Sequence, residues 1–351
     1  MKTDLPHIRA AFVTQHESWP WKRQLPEGQD TVEGGRFFVP VNEADVVIVY
    51  DALPTAHLAV PAHALKVFVC SEPENVKRYN ADFLAQFDVV ITSDRQTPHP
   101  NRVFVQSGLP WHAGSMTDGG KLLSAPMRFE EFERHDPVKT RLVSVVSSDK
   151  AYTAEHRARL AFVAKLREAL GDQVDVFGRG IADFADKRDV LDSYRYHIAL
   201  ENCAIEDYWT EKLADPFLTL TFPIYHGCQN IMDYFPEGAL RLIDIYKPDE
   251  AVEIIREIIA SDLAERSRAE LLEARRRVMH EHNVFEMLAR TVRQKISQMP
   301  HNRHASEESI SIQCEYFFFT LTKRLRLKAL DFLAAVPYLR QAVRFIKRRL
   351  R

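Results

Sequence analysis

Glu211 and Lys212 are the residues best placed by type and spacing to do chemistry. They follow Thr210, a good N-cap residue, so they fall in the first turn of a helix. Asn202, Tyr208 and Thr210 crowd the same point, where an apolar strand (His197 to Leu200) passes through Glu201-Asn202 into a loop and then into that helix. A second apolar strand, Phe222 to Tyr225, closes the unit at Gly227. Free backbone N–H groups, the positive end of the helix dipole and a mobile ammonium suit a phosphate. An isolated Glu-Lys pair would be read as two helix formers on a solvated face; the crowding around this pair favours a binding site.

Two further groups fit the same chemistry. Arg157, early in a helix that follows the Val145-Val146-Ser147-Ser148 strand end, is a candidate for gripping phosphate with its planar fork, and Arg159 competes for that role. Glu72 follows a buried strand and precedes Pro73, which enforces an extended turn. A carboxylate at a strand's carboxyl end can serve as a general base, worth roughly 10²–10⁴-fold in rate; Glu74 is its rival. His280-Glu281-His282 is not counted as a metal signal, because i and i+2 side chains diverge on a helix. No metal site is expected. Gly178-Arg179-Gly180 is too short for a dinucleotide fingerprint.

These residues need parallel strands to position them. Asp45 to Tyr50, Lys66 to Cys70 and Phe87 to Thr92 read as buried strands, with a helix over Arg78 to Gln86, and place one α/β domain at about 1–125. The stretch from Gly114 to Pro137, with Gly119-Gly120 and a charged run, holds the linker, placed at 126–140. Arg141 to Ser147 opens a second α/β domain, 141–300, with a helix from Thr153 to Leu170, strands at Val174 to Phe177 and Leu240 to Ile243, and helices over Asp249 to Ala260 and Leu263 to Met299. Alternating strands and helices predict two doubly wound sheets facing a cleft, and such sheets bind ligands beyond the carboxyl ends of their strands.

The chain has 351 residues and a formal net charge of −2, which argues against a protein built wholly around nucleic acid. That average hides an asymmetry. Residues 323–351 hold ten Lys/Arg and one acid, so residues 1–322 hold 37 Lys/Arg and 48 Asp/Glu, a formal −11. In the tail, 301–351, Phe332, Val336, Leu339, Val343, Ile346 and Leu350 fall at helical spacing, with Arg340, Arg344, Lys347 and Arg351 as a neighbouring basic stripe and Pro337 as a kink. Such a helix suits an anionic membrane surface better than packing on the body, and nucleic acid less than either. The four cysteines lack C-x-x-C spacing, and Met1-Lys2-Thr3-Asp4 does not read as a secretory leader. Reduced thiols in a cytoplasm, at most peripheral on the inner face of the cytoplasmic membrane, are the expectation.

The run Glu201-Asn202, Asp207-Tyr208-Trp209-Thr210-Glu211-Lys212 and Pro223-Ile224-Tyr225-His226-Gly227 resembles the donor-binding core of glycosyltransferase family 10, the α-1,3/1,4-fucosyltransferases. The likeness is close over about forty residues and looser from Arg141 to Ile259. It implies a GT-B fold, a GDP-fucose donor and inversion at the sugar's anomeric carbon, without a cofactor. Lys212 and Arg157 look like the family's phosphate-binding pair; Glu211, Asn202 and Tyr208 look like its ribose- and fucose-contacting residues. Its base would lie within Ser71-Glu72-Pro73-Glu74-Asn75, and Cys203 replaces the usual Ser or Thr. A GlcNAc-containing acceptor glycan of a surface polysaccharide or lipopolysaccharide, in α-1,3 or α-1,4 linkage, and a tail at the inner membrane follow from the same likeness. The same fold using another nucleotide sugar, or a catalytically silent glycan- or nucleotide-sugar-binding protein at the membrane, are the competing readings.

Overall fold

Runs of β-branched and apolar residues become the strands of two separate sheets in the computed structural model. It describes residues 8–27, 29–32, 35–73, 75–118, 121–147, 154–178, 180–298 and 308–319, with the single helical positions Lys323, Leu327, Leu330, Leu333, Val343 and Ile346. The chain divides into two compact units: residues 1–17, 30–107 and 288–351 form one, and 18–29 with 108–287 the other.

The first unit holds β1 (Ile8–Thr14), β2 (Thr31–Val32), β3 (Gly35–Phe37), β4 (Val46–Tyr50), β5 (His57–Pro61), β6 (Leu65–Val69), β7 (Val89–Thr92) and β8 (Arg102–Phe104). Seven of these form a sheet in the order β2-β3-β1-β4-β6-β7-β8, parallel except where β2 meets β3. Every residue of β4 is buried, as expected for a strand flanked by β1 and β6 in a parallel sheet covered on both faces. β5 stands apart and pairs antiparallel with Ser309–Gln313, which seats Ile312 in the core with Val60, Phe68 and Phe83. The helix expected over Arg78 to Gln86 is shorter. It spans Ala81–Leu84 (α1), because the Asn80 side chain accepts from the N–H groups of Asp82 and Phe83 and starts the helix there.

The second unit holds a small hairpin of β9 (Thr117–Asp118) and β10 (Lys121–Leu122), then α2 (Phe129–Arg134), β11 (Arg141–Val146), α3 (Ala154–Leu170), β12 (Val174–Phe177), β13 (Tyr194–Leu200), α4 (Glu211–Leu218), β14 (Phe222–His226), β15 (Arg241–Leu242) and α5 (Pro248–Ile259). Its sheet is parallel throughout, in the order β12-β11-β13-β14-β15, so β13 is the central strand. The stretch read as a linker contains α2, whose Phe129 and Phe132 sit in the core beside Trp111. The Trp19 to Gln24 loop, read as part of the first domain, belongs here: the buried Arg23 guanidinium donates to the carbonyls of Trp111 and Ala113. The single helix expected from Leu263 to Met299 is three: α6 (Leu263–Arg266), α7 (Arg268–His280) and α8 (Val284–Ser297). Asn283 breaks it by accepting from the N–H groups of Phe285 and Glu286, and the boundary between the units falls within α8.

Candidate active site

β13 delivers its last residues at the carboxyl edge of the second sheet, where Glu201 N–H still donates to His226 O at 2.9 Å and extends the ladder one step. That bond turns the Glu201 side chain inward. Its buried carboxylate accepts from Thr210 N–H at 2.7 Å and from the Thr210 hydroxyl at 2.8 Å. Thr210 in turn caps α4, its oxygen accepting from Lys212 N–H at 3.2 Å. One carboxylate therefore fixes the residue that starts the helix. Burial pushes the Glu201 carboxyl up, with Glu211 adding to it and Lys212 and Thr210 opposing.

The Lys212 ammonium lies 3.2 Å from Glu211 Oε1, 3.2 Å from Thr210 Oγ1 and 3.6 Å from Glu201 Oε2, with a quarter of its side chain exposed. Burial alone would raise the Glu211 carboxyl. Lys212 first, then His112 and Lys187, outweigh it and hold that group well below the usual carboxylate range. Glu211 is thus an anion at any ordinary pH. From Leu213 to Leu218 α4 is buried, and Asp215 within it is matched by Lys187 Nζ at 2.9 Å and His112 N–H at 3.0 Å.

The expected loop residues are here too. Tyr208 is buried beside Trp209. Asp207 precedes it with φ +58 and anchors the turn, accepting from Tyr234 OH at 2.6 Å and Asn230 Nδ2 at 3.0 Å. Asn202 Oδ1 accepts from Arg159 Nη1 at 2.6 Å. Between the two competing arginines, Arg159 is the one brought to the junction: it is buried, also donates to Leu200 O, and burial lowers its pKa against the pull of Glu201, Tyr208 and Glu211. Arg157, two residues earlier on α3, presents an exposed side chain. Arg179 lies outside the described residues. Gly227 is required by close approach: a Cβ there would lie 2.5 Å from Glu201 Cγ and would overlap the Tyr225 hydroxyl. His280 and His282 are spent on other work. His280 Nε2 is 3.1 Å from Glu133, and the His282 ring packs edge-on against Trp209 and Phe235.

In the first unit, Glu72 follows β6 and lines a cavity of about 170 Å³ with Lys77, Tyr79, Asp94 and Thr97. Glu74 lies outside the described residues. The group that organises this region is one the sequence reading passed over. Asp51 follows β4 with φ +65, a conformation unusual for a residue other than glycine. Its Oδ1 accepts from Ser71 Oγ at 2.6 Å, Tyr79 OH at 2.7 Å and Lys77 Nζ at 2.8 Å, and Oδ2 from Gln15 at 2.9 Å. Burial opposes the charge, but Lys77 and these donors pull the carboxyl down to about 2. Ser71 N–H also donates to Tyr79 OH, so the network holds the backbone just before Glu72. The signal was available: Asp51 ends a β-branched run, as Glu72 follows one.

Residues 136–267 match the family model "Glycosyltransferase family 10 (fucosyltransferase) C-term". An α-(1,3)-fucosyltransferase B of Drosophila melanogaster is 36% identical over 70 residues, 19% of this chain and 16% of that protein. An α-(1,3)-fucosyltransferase of Helicobacter pylori is 31% identical over 72 residues, 20% of this chain and 15% of that protein. The matched stretch thus spans about a sixth of the length of these relatives. A crystal structure of an α1,3-fucosyltransferase with GDP superimposes with a TM-score of 0.48 at 18% identity, covering 87% of this chain and 94% of that one. The sheet, the capped helix and the Glu201–Lys212 junction all lie inside residues 136–267, the stretch similar to the family 10 glycosyltransferase C-terminal model.

Proposed function

We propose that this protein transfers L-fucose from GDP-fucose to a hydroxyl of an acceptor glycan, with inversion, in α-1,3 or α-1,4 linkage to a GlcNAc-containing chain. The observation that carries the reading is the Lys212 ammonium at the capped start of α4, inside the stretch that matches a fucosyltransferase family. A diphosphate there would meet a cation and the positive end of a helix. Glu211, Asn202 and Tyr208 are assigned to the ribose and fucose, and the exposed Arg157 to the phosphates, while Arg159 holds Asn202 in place.

The reaction needs three events. The acceptor oxygen forms a bond to the fucose anomeric carbon. Its proton passes to a base, which we assign to Glu72. The bond from that carbon to the β-phosphate oxygen breaks, and the electron pair leaves with GDP. The transition state has oxocarbenium character, as in glycoside chemistry generally. Charge growing on the leaving phosphate is met by Lys212, Arg157 and the α4 N-terminus; such preorganised groups are each worth roughly 10²–10³-fold. Because protein cations supply that charge, activity is expected to survive EDTA. The test is GDP-fucose turnover against N-acetyllactosamine-type and lipopolysaccharide acceptors, with linkage read by NMR. Turnover with UDP-sugars and not with GDP-fucose would replace the donor assignment, and nucleotide binding without any transfer would replace the enzyme.

A further inference from the structure

His112 belongs to the second unit and stands beside the start of α4, yet the reaction above gives it no part. Its main-chain N–H donates to Asp215 Oδ1 at 3.0 Å, and Asp215 is buried and paired with Lys187 at 2.9 Å. The backbone that carries the imidazole is therefore tied to α4 itself. The ring packs against the Trp19 indole, with centroids 5.2 Å apart, and its Nδ1 lies 4.0 Å from Glu211 Oε1. Lys212 Nζ lies 3.2 Å from that same oxygen. One carboxylate oxygen thus faces an ammonium and an imidazole. The His112 side chain is 46% exposed, so a proton can reach it from water.

Four charges face this ring: Glu211, Asp215 and Lys212 from α4, and Lys187 from the segment packed against it. Lost hydration, with Lys187 and Lys212, holds the imidazole below its ordinary value against the pull of the two carboxylates. Without a ligand the ring is mostly neutral at pH 7. A diphosphate at Lys212 changes both sides of that balance. It adds negative charge close to the ring, and it competes with Glu211 Oε1 for the ammonium. Both effects favour the charged imidazole. We propose that His112 takes up a proton as the nucleotide sugar binds and becomes the cation that holds Glu211 while Lys212 serves the diphosphate. This role of a positioning residue rests on the donor site proposed above and adds a proton to its binding equilibrium: donor affinity falls as pH rises through the His112 titration. His226, at the end of β14, is a contrast, because its Nδ1 is spent on Ile243 O at 3.2 Å.

GDP-fucose is the probe, because both phosphates of a sugar nucleotide are diesters and do not titrate near neutral pH. Calorimetric titration of the full chain between about pH 5.5 and about pH 8.5, in buffers of differing ionisation enthalpy, reads affinity and proton uptake together. The wild type is expected to bind at least about fivefold more tightly at the acid end and to take up part of a proton near neutrality. His112→Gln keeps a polar side chain but cannot titrate; it is expected to lose the uptake and flatten the profile at an unchanged melting temperature. In labelled-histidine NMR of the wild type, one imidazole is expected to titrate at least about one pH unit higher with GDP-fucose than without. Binding with a flat profile, tighter binding at high pH, a slope that survives in His112→Gln, a slope lost in His226→Gln instead, or no imidazole raised by the ligand would each overturn the role. A wild type that does not bind GDP-fucose at any pH would remove the donor site, and this role with it.

Discussion

Lys212 and Asp51 show how single side chains are prepared for work. Lys212 is held by oxygens from three residues, so little rotamer freedom remains to be lost when a phosphate arrives. Asp51 is an anion locked beneath the loop that carries Glu72. Its folded-state pKa of about 2 lies below the ordinary value of 3.8. The stability this contributes is complete above the ordinary value and is lost as pH falls through the folded one, on the order of 2 kcal/mol. Asp51→Asn is expected to lose that amount at pH 7 and to flatten the acid limb between about pH 4 and 2; a denaturation series against pH checks it, and an unaltered limb refutes it. The residues of the junction were legible because their types cluster within a dozen positions. Asp51 follows a readable β-branched run, but its network was not legible, because Ser71, Lys77 and Tyr79 lie twenty or more positions away and meet it only through the pairing of β4 with β6.

At the scale of elements, the second sheet places its site by two constraints, a cap and a close approach. Thr210 starts α4 and is itself held by Glu201, so the cap and the strand end move as one. Gly227 lets the chain after β14 pass against Glu201. Gly227→Ala should force Glu201 or Tyr225 out of position. It should cost at least about 1–3 kcal/mol in denaturant unfolding and weaken GDP binding as well; a variant as stable as wild type would remove this role. Strands were legible from their apolar runs, and α3 from its periodicity. Helix ends were less so. The break at Asn283 and the late start at Asn80 depend on side chains that accept backbone N–H groups, and an Asn in a polar stretch does not announce which way it will turn.

The two units are discontinuous in sequence, and this is what linear reading handles least well. Trp19 to Gln24 precedes most of the first unit yet packs in the second, while Ser309–Gln313 returns to complete the first. Only contacts far apart in the chain, such as Arg23 with the carbonyl of Ala113, reveal it. Ending the chain after residue 307 removes the partner of β5 and exposes the core around Ile312. A lower melting temperature than for a chain ending after residue 319 is expected; equal values would mean the strand adds nothing. Among the described residues no helix is long and apolar enough to cross a membrane. Of the tail positions expected to form an amphipathic stripe, Val343 is buried and Ile346 exposed, and Phe332, Val336, Leu339, Leu350, Pro337 and the four basic residues Arg340, Arg344, Lys347 and Arg351 lie outside the described residues. We propose that residues 323–351 bind an anionic membrane surface; both truncations should then lose co-sedimentation with anionic vesicles, and retained binding would contradict the assignment.

We propose that a diphosphate is gripped where β13 hands over to α4. Calorimetric titration of GDP into the wild type, Lys212→Ala and Glu72→Gln tests it most directly. Binding by the wild type, at least about tenfold weaker binding by Lys212→Ala and unchanged affinity in Glu72→Gln are expected. Equal affinity in the wild type and Lys212→Ala would contradict it.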